Sequence, residues 1–140
     1  MKKIFVLLVV SFLIAGCNAG TVNYRNPNLP ANYMVYMQLN LALPLYSNLK
    51  NPINSFVDYS QGIRGVVVFN AGNSYVAYDL ACPNTPYTTC ATAMTVMGVD
   101  AKCSCDNSTY SLFSGQSTGQ QYPMKPYHVE LNGDNLTVTN

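Results

Sequence analysis

The 140 residues carry a formal net charge of +1, with seven basic side chains against six acidic, and only 9% of them are charged. That length suits one hydrophobic core and not two. The charge weighs against nucleic acid as a partner, because phosphate binding needs a basic face.

The first 16 residues have the layout of a secretory signal. Lys2 and Lys3 form a charged start, residues 4–14 an apolar run broken only by Ser11, and Ala15-Gly16 a small-residue end before Cys17. A run this short falls below the roughly 20 residues of a membrane-spanning helix. Ile14-Ala15-Gly16-Cys17 resembles the bacterial lipobox, which implies a diacylated Cys17 as the new N-terminus. At about 0.8 kcal/mol per buried CH₂, several acyl chains make a stable membrane anchor. The expected location is the bacterial cell envelope, with the domain outside the cytoplasm. Losing Lys2 and Lys3 with the signal leaves five basic against six acidic residues, a net charge of −1.

Residues 17–31 are the expected lipidated N-terminus and flexible tether, rich in Asn, Pro and Gly with little periodicity. The body, 32–140, begins with a strand over 32–41, where Tyr33, Val35, Met37 and Leu39 share one face. Asn51-Pro52 marks a turn before a second strand at 53–57. Runs 64–70 and 74–80 flank Ala71-Gly72-Asn73, a hairpin signal. Strand character returns at 94–99 and 109–113, then at 127–131 and 136–138 around Asn132-Gly133-Asp134-Asn135, a second hairpin signal. With no amphipathic helix of useful length, the pattern predicts an all-β fold, a small antiparallel sandwich or barrel.

Beyond Cys17 stand Cys82, Cys90, Cys103 and Cys105. An even count in an exported chain reads first as disulfides, with metal ligation as the alternative. Cys103-Ser104-Cys105 is tighter than a usual zinc chelate, and Cys90 has no near partner. Nor is it the C-x-x-C spacing of thiol oxidoreductases.

Cys82-Pro83-Asn84 and Cys103-Ser104-Cys105-Asp106, followed by Asn107-Ser108-Thr109-Tyr110, resemble the two cluster-binding loops of Rieske [2Fe-2S] domains. In that family Cys-x-His and Cys-x-x-His each give one thiolate and one imidazole. The resemblance puts Cys82 and Cys103 at the thiolate positions, and Asn84 and Asp106 at the histidine positions. Cys90 and Cys105 are similar to the extra pair that bridges these loops in respiratory Rieske proteins. Ser108 and Tyr110 match the hydroxyls that hydrogen-bond the cluster sulfur and a ligand sulfur. Ser114-Gly115, Gly119-Gln120 and Pro123-Met124 are a rough match to the family's glycine turn and proline loop. Residues 127–138 look like its closing hairpin. The resemblance covers 64–140 well and 32–63 only through strand pattern.

Rieske chemistry needs two imidazoles on one iron, which raise its potential. An amide oxygen is a weak ligand for iron and a carboxylate a hard one. The single histidine, His128, lies beyond both loops. The resemblance therefore implies a degenerate domain with a former cluster-binding tip and no Rieske cluster. No metal or cofactor is expected, the alternative being an iron–sulfur cluster or zinc held by Cys82, Cys90, Cys103 and Cys105. It further implies disulfides Cys82–Cys103 and Cys90–Cys105, since two thiolates that once shared an iron lie within disulfide reach. A single Cys90–Cys105 bridge, with Cys82 and Cys103 as thiols, is a second arrangement.

Asp79, Asp100 and Asp106 form no recognisable acid/base pair, and Ser108 has no base at a catalytic spacing, so nothing supports an enzyme. Tyr75, Tyr78 and Tyr110 serve as a ligand platform or, more ordinarily, pack on the sheet. The expected function is that of a non-catalytic envelope lipoprotein whose degenerate Rieske-like domain is a disulfide-stapled binding or structural module. Its partner surface, for another envelope protein, is expected at Pro83-Asn84 and Asp106-Asn107. The alternative is an electron-transfer protein centred on the cysteines.

Overall fold

The computed structural model describes residues 24–140. Among these the chain is all-β and antiparallel, as its short strand runs between turn clusters predict, with nine strands and one 3-10 turn at Ser47–Lys50. In chain order the strands are β1 (Tyr36–Asn40), β2 (Ser55–Asp58), β3 (Val66–Asn70), β4 (Tyr75–Asp79) and β5 (Thr95–Met97). There follow β6 (Asp100–Lys102), β7 (Thr109–Ser111), β8 (Pro126–Asn132) and β9 (Asn135–Thr139). Six strands make one sheet in the order β1-β9-β8-β4-β3-β2, and β5-β6-β7 make a second.

Strand β3 explains why the two sheets stay together. Successive side chains alternate faces, so an unbroken apolar run suits a strand covered on both sides. All five residues of β3 are buried. Val66 and Val68 share a core with Met37, Leu39, Leu49, Leu136 and Val138, so the large sheet curls to bring β1 and β9 over β3. Val67 and Phe69 face the other way, into a core with Tyr78, Ala101, Tyr110, Leu112 and Met124, which places the small sheet there. Each buried Val, Leu, Met or Phe side chain among them contributes about 1.5–3 kcal/mol.

Both hairpin signals become hairpins. Ala71 N–H donates to Ser74 O at 2.9 Å between β3 and β4, and Asn132 pairs Asn135 across a turn whose first central residue, Gly133, has φ +61°. A positive φ there is what a two-residue II′ turn requires.

Three expectations need correction. The strand expected at 94–99 stops at Met97, because Gly98 at φ +62° reverses the chain there, and an unexpected strand, Asp100–Lys102, pairs back on it with Asp100 opposite Met97. The strand expected at 53–57 starts at Ser55, because Ile53 at φ +68° is not extended. The tether expected over 17–31 does not run to its stated end. From Tyr24 onward the chain is docked: Leu29 is buried against Ile63 and Ala81, and Asn26 and Asn28 donate to Pro83 O at 2.7 and 3.0 Å. Leu29 supplied the apolar contact that a composition reading of this polar stretch discounts. Residues 1–23, with the signal and Cys17, lie outside the described residues.

Candidate functional site

Two loops meet at one end of β3 and β4. The first leaves β4 at Asp79 and carries Cys82, Asn84 and Cys90; the second joins β6 to β7 and carries Cys103, Cys105, Asp106 and Ser108. Backbone bonds fix their roots: Met94 N–H donates to Leu80 O at 2.7 Å, and Cys103 N–H to Ser108 O at 2.9 Å. Arg64 ties the first loop to the start of β3, donating to Tyr87 O at 2.9 Å and Cys90 O at 3.4 Å.

Disulfides join the loops. Cys82 is bonded to Cys103 with Cα atoms 5.6 Å apart, and Cys90 to Cys105 at 6.1 Å. These are the pairs that the Rieske resemblance implies. Both separations lie within the usual disulfide range. Cys82, Cys90 and Cys103 are buried in the apolar core below, while Cys105 is exposed.

The positions read as former histidine sites are engaged with their own surroundings. Asn84 donates to Tyr110 Oη at 2.8 Å and Tyr122 O at 2.7 Å, and its carbonyl accepts from Tyr122 N–H at 2.9 Å. Asp106 accepts from Ser108 N–H at 2.9 Å, turning the chain at Asn107, whose φ is +59°. The Ser108 hydroxyl also bonds the Asp106 carboxylate and lies 3.1 Å from Tyr110 Oη. A hydroxyl has one proton and an ionised carboxylate only accepts. The single Ser108 proton is therefore shared between the Asp106 carboxylate and Tyr110 Oη, both of which accept from the Ser108 hydroxyl. One relay thus runs from Asn84 through Tyr110 and Ser108 to Asp106 across both loops.

Exposure at the tip is one-sided. Ser104, Cys105, Asp106 and Asn107 are exposed, whereas Pro83 is buried beneath residues 26–28 and Asn84 is half-buried. A shallow groove of about 280 Å³ opens beside the exposed half, lined by Thr95, Met97, Lys102, Ser104 and Asn107. His128 is exposed on β8, opposite Thr139, and lies in neither loop. Tyr75 and Tyr78 form no platform with Tyr110: Tyr75 packs with the β1–β9 core and donates to Leu49 O at 3.1 Å, while Tyr78 and Tyr110 fill the other core.

A second polar cluster, unmarked in the sequence, lies behind the first loop. Asp79 has no exposed surface. Its carboxylate accepts from Ile63 N–H (2.6 Å), Arg64 N–H (3.2 Å), Ala81 N–H (2.8 Å) and the Tyr127 hydroxyl (2.7 Å). Burial first, then the neighbouring carboxylate, push the Tyr127 phenol well above its ordinary value. Burial pushes the Lys125 amine down, against the attraction of Asp79. Tyr24, donating to Pro123 O at 2.8 Å, is raised by burial to about 12. The one signal that points here is Gly62, at φ +73°, where a Cβ would stand 2.5 Å from Asp79 Oδ2.

No protein-family model and no curated protein matches the chain. Among solved structures it is similar to the ferredoxin of carbazole 1,9a-dioxygenase from Nocardioides aromaticivorans IC177, at 15% identity and a TM-score of 0.42 over 65% of this chain and 90% of that one. It is also similar to a protein described as a nitrite reductase NADPH (small subunit) oxidoreductase, at 16% identity and a TM-score of 0.42 over 73% of this chain and 97% of that one.

Proposed function

We propose that this chain is a membrane-anchored extracytoplasmic lipoprotein of the bacterial cell envelope, lipidated at Cys17. Its body is a degenerate Rieske-like domain without a Rieske cluster, and it serves as a disulfide-stapled binding or structural module.

The observation that carries this reading is the engagement of all four former ligand positions. The sulfurs of Cys82 and Cys103 bond to each other, Asn84 is held by Tyr110 and Tyr122, and Asp106 caps the turn at Ser108. Iron bound there would have to break a disulfide and a closed hydrogen-bond relay, and would find no imidazole. A rigid tip with exposed Ser104, Asp106 and Asn107 suits a polar contact with another envelope protein.

The test is purification without oxygen, followed by iron, zinc and labile-sulfide determination and peptide mapping without reduction. The expected result is both bridges, no labile sulfide and no stoichiometric metal. A stoichiometric cluster at the four cysteines, with both bridges absent, would overturn the reading in favour of electron transfer. For the anchor, Cys17→Ser is expected to move the protein from membrane to soluble fraction or to accumulate its precursor. Unchanged membrane retention with acyl label still incorporated would rule out lipidation at Cys17.

A further inference from the structure

Stapling two loops requires each bridge to form, but it does not require the bridges to touch. Here they do: all four sulfurs, of Cys82, Cys90, Cys103 and Cys105, lie within 4.8 Å of one another. A tetrahedral zinc thiolate site, with zinc–sulfur bonds near 2.3 Å, sets its sulfurs about 3.8 Å apart. Moving from two bridges to that geometry means opening each pair by just under about 2 Å and drawing the pairs together by at most about 1 Å. The loop roots need not move for that.

We infer that the tip is a redox-gated metal site: oxidised, its cysteines staple the loops; reduced, the same four sulfurs bind one zinc ion as a tetrathiolate. This rests on the stapled-tip reading above, since it takes the bridged form as the resting state. Each disulfide accepts two electrons and two protons from a dithiol, which leaves as its own disulfide. Two such exchanges give four thiols. Zinc then displaces four protons and gains four zinc–sulfur bonds, with no further change in oxidation state.

The surroundings suit both states. Cys105 is exposed and gives reductant and metal a way in, while the other three cysteines sit in the apolar core and keep water from the ion. The Thr92 hydroxyl lies 3.9 Å from Cys90 Sγ and 3.7 Å from Cys105 Sγ, and 2.8 Å from the Ser104 hydroxyl. When Ser104 donates to Thr92, the Thr92 proton is left for sulfur, the kind of bond that steadies a ligating thiolate. Arg64, donating to Cys90 O at 3.4 Å, sets a positive charge one peptide group from a site that would carry two negative charges. A two-iron cluster fits less well, because it spreads its thiolate pairs to either side of an iron–iron axis. The close clustering of these sulfurs favours a single ion.

The experiment uses the lipidated chain in detergent, reduced with a phosphine, and offers zinc or cobalt(II) alone. The untreated protein is expected to show no free thiol and to take up no metal. The reduced protein is expected to bind one equivalent of either ion, cobalt giving the visible bands of a tetrahedral centre and a sulfur-to-metal charge-transfer band. Cys105→Ser and Cys90→Ser should each weaken zinc by far more than tenfold and change the cobalt spectrum. Thr92→Val should keep the spectrum and weaken binding about tenfold. If reduction alone loosens residues 82–108, zinc must restore their hydrogen-exchange protection. Reduced protein that takes up no tetrahedral cobalt, or whose tip zinc does not restore, overturns the metal site and leaves the staple intact. Four free thiols before reduction would overturn the staple instead.

Discussion

A buried carboxylate without a cation bonded to it survives only if its oxygens are fully supplied with donors. Asp79 meets that condition with three backbone amides and Tyr127. Asp79→Asn puts an amide donor against other donors and is expected to cost about 3 kcal/mol, read as a lower urea midpoint with an unchanged slope. Tyr127→Phe removes one donor and should cost about 1–2 kcal/mol. The pH response has a definite sign. Tyr24 and Tyr127 hold their protons more tightly folded than unfolded, so the unfolded chain releases them first as pH rises. Their contribution is complete below about pH 10, the ordinary tyrosine value, and is lost above it. Lys125, pushed down by burial, has the opposite slope below its ordinary value. Alkaline unfolding is therefore expected to steepen past about pH 10, and Tyr24→Phe should flatten it. At the exposed turn before β2, Ile53 holds φ +68°, a conformation that costs a β-branched residue about 1–2 kcal/mol. Ile53→Gly should raise stability by about 0.5–1 kcal/mol after glycine's entropic cost, seen as a higher melting temperature.

Among the elements, the loops between β4 and β7 are the ones whose stability does not come from the sheets. The bridges close segments with sequence separations of 21 and 15 residues, worth about 3 kcal/mol each in the chain-entropy model. Reduction without metal should raise hydrogen exchange across residues 82–108 while β3, β4 and β8 keep their protection. Uniform loss of protection would mean that the bridges hold the whole domain. The hairpins at 71–74 and 132–135 were legible because turn residues stood between strand-forming runs. The tip was legible through its cysteine pattern. The hairpin at Gly98 was hidden because Met94, Val96 and Val99 read as one apolar run and β5 and β6 have only three residues each. The relay from Asn84 to Asp106 and the Asp79 cluster were not legible, because they join residues 22 and 48 positions apart and leave no local spacing.

At the scale of the molecule, the docking of residues 24–31 sets which end of the domain meets the membrane if Cys17 carries lipid. Tyr24 is bonded to Pro123 and Asn26 to Pro83, so the chain enters at the disulfide tip. The seven peptide units from Cys17 to Tyr24 reach at most about 25 Å when extended. The hairpin at 71–74 lies at the other end of β3 and β4, five-residue strands that span about 17 Å. The tip should therefore ride close to the bilayer, with that hairpin pointing away. A fluorophore at Asn107 of the lipidated protein in vesicles is expected to transfer energy to a membrane dye much more strongly than one at Asn73. Inserting a Gly/Ser linker of about 20 residues ahead of Tyr24, with a root-mean-square length near 25 Å, should bring the two sites to similar efficiencies. Equal transfer without the linker would mean that the docked segment does not orient the domain. A partner reaching the tip would then be free to approach from the bulk side as readily as from the membrane plane.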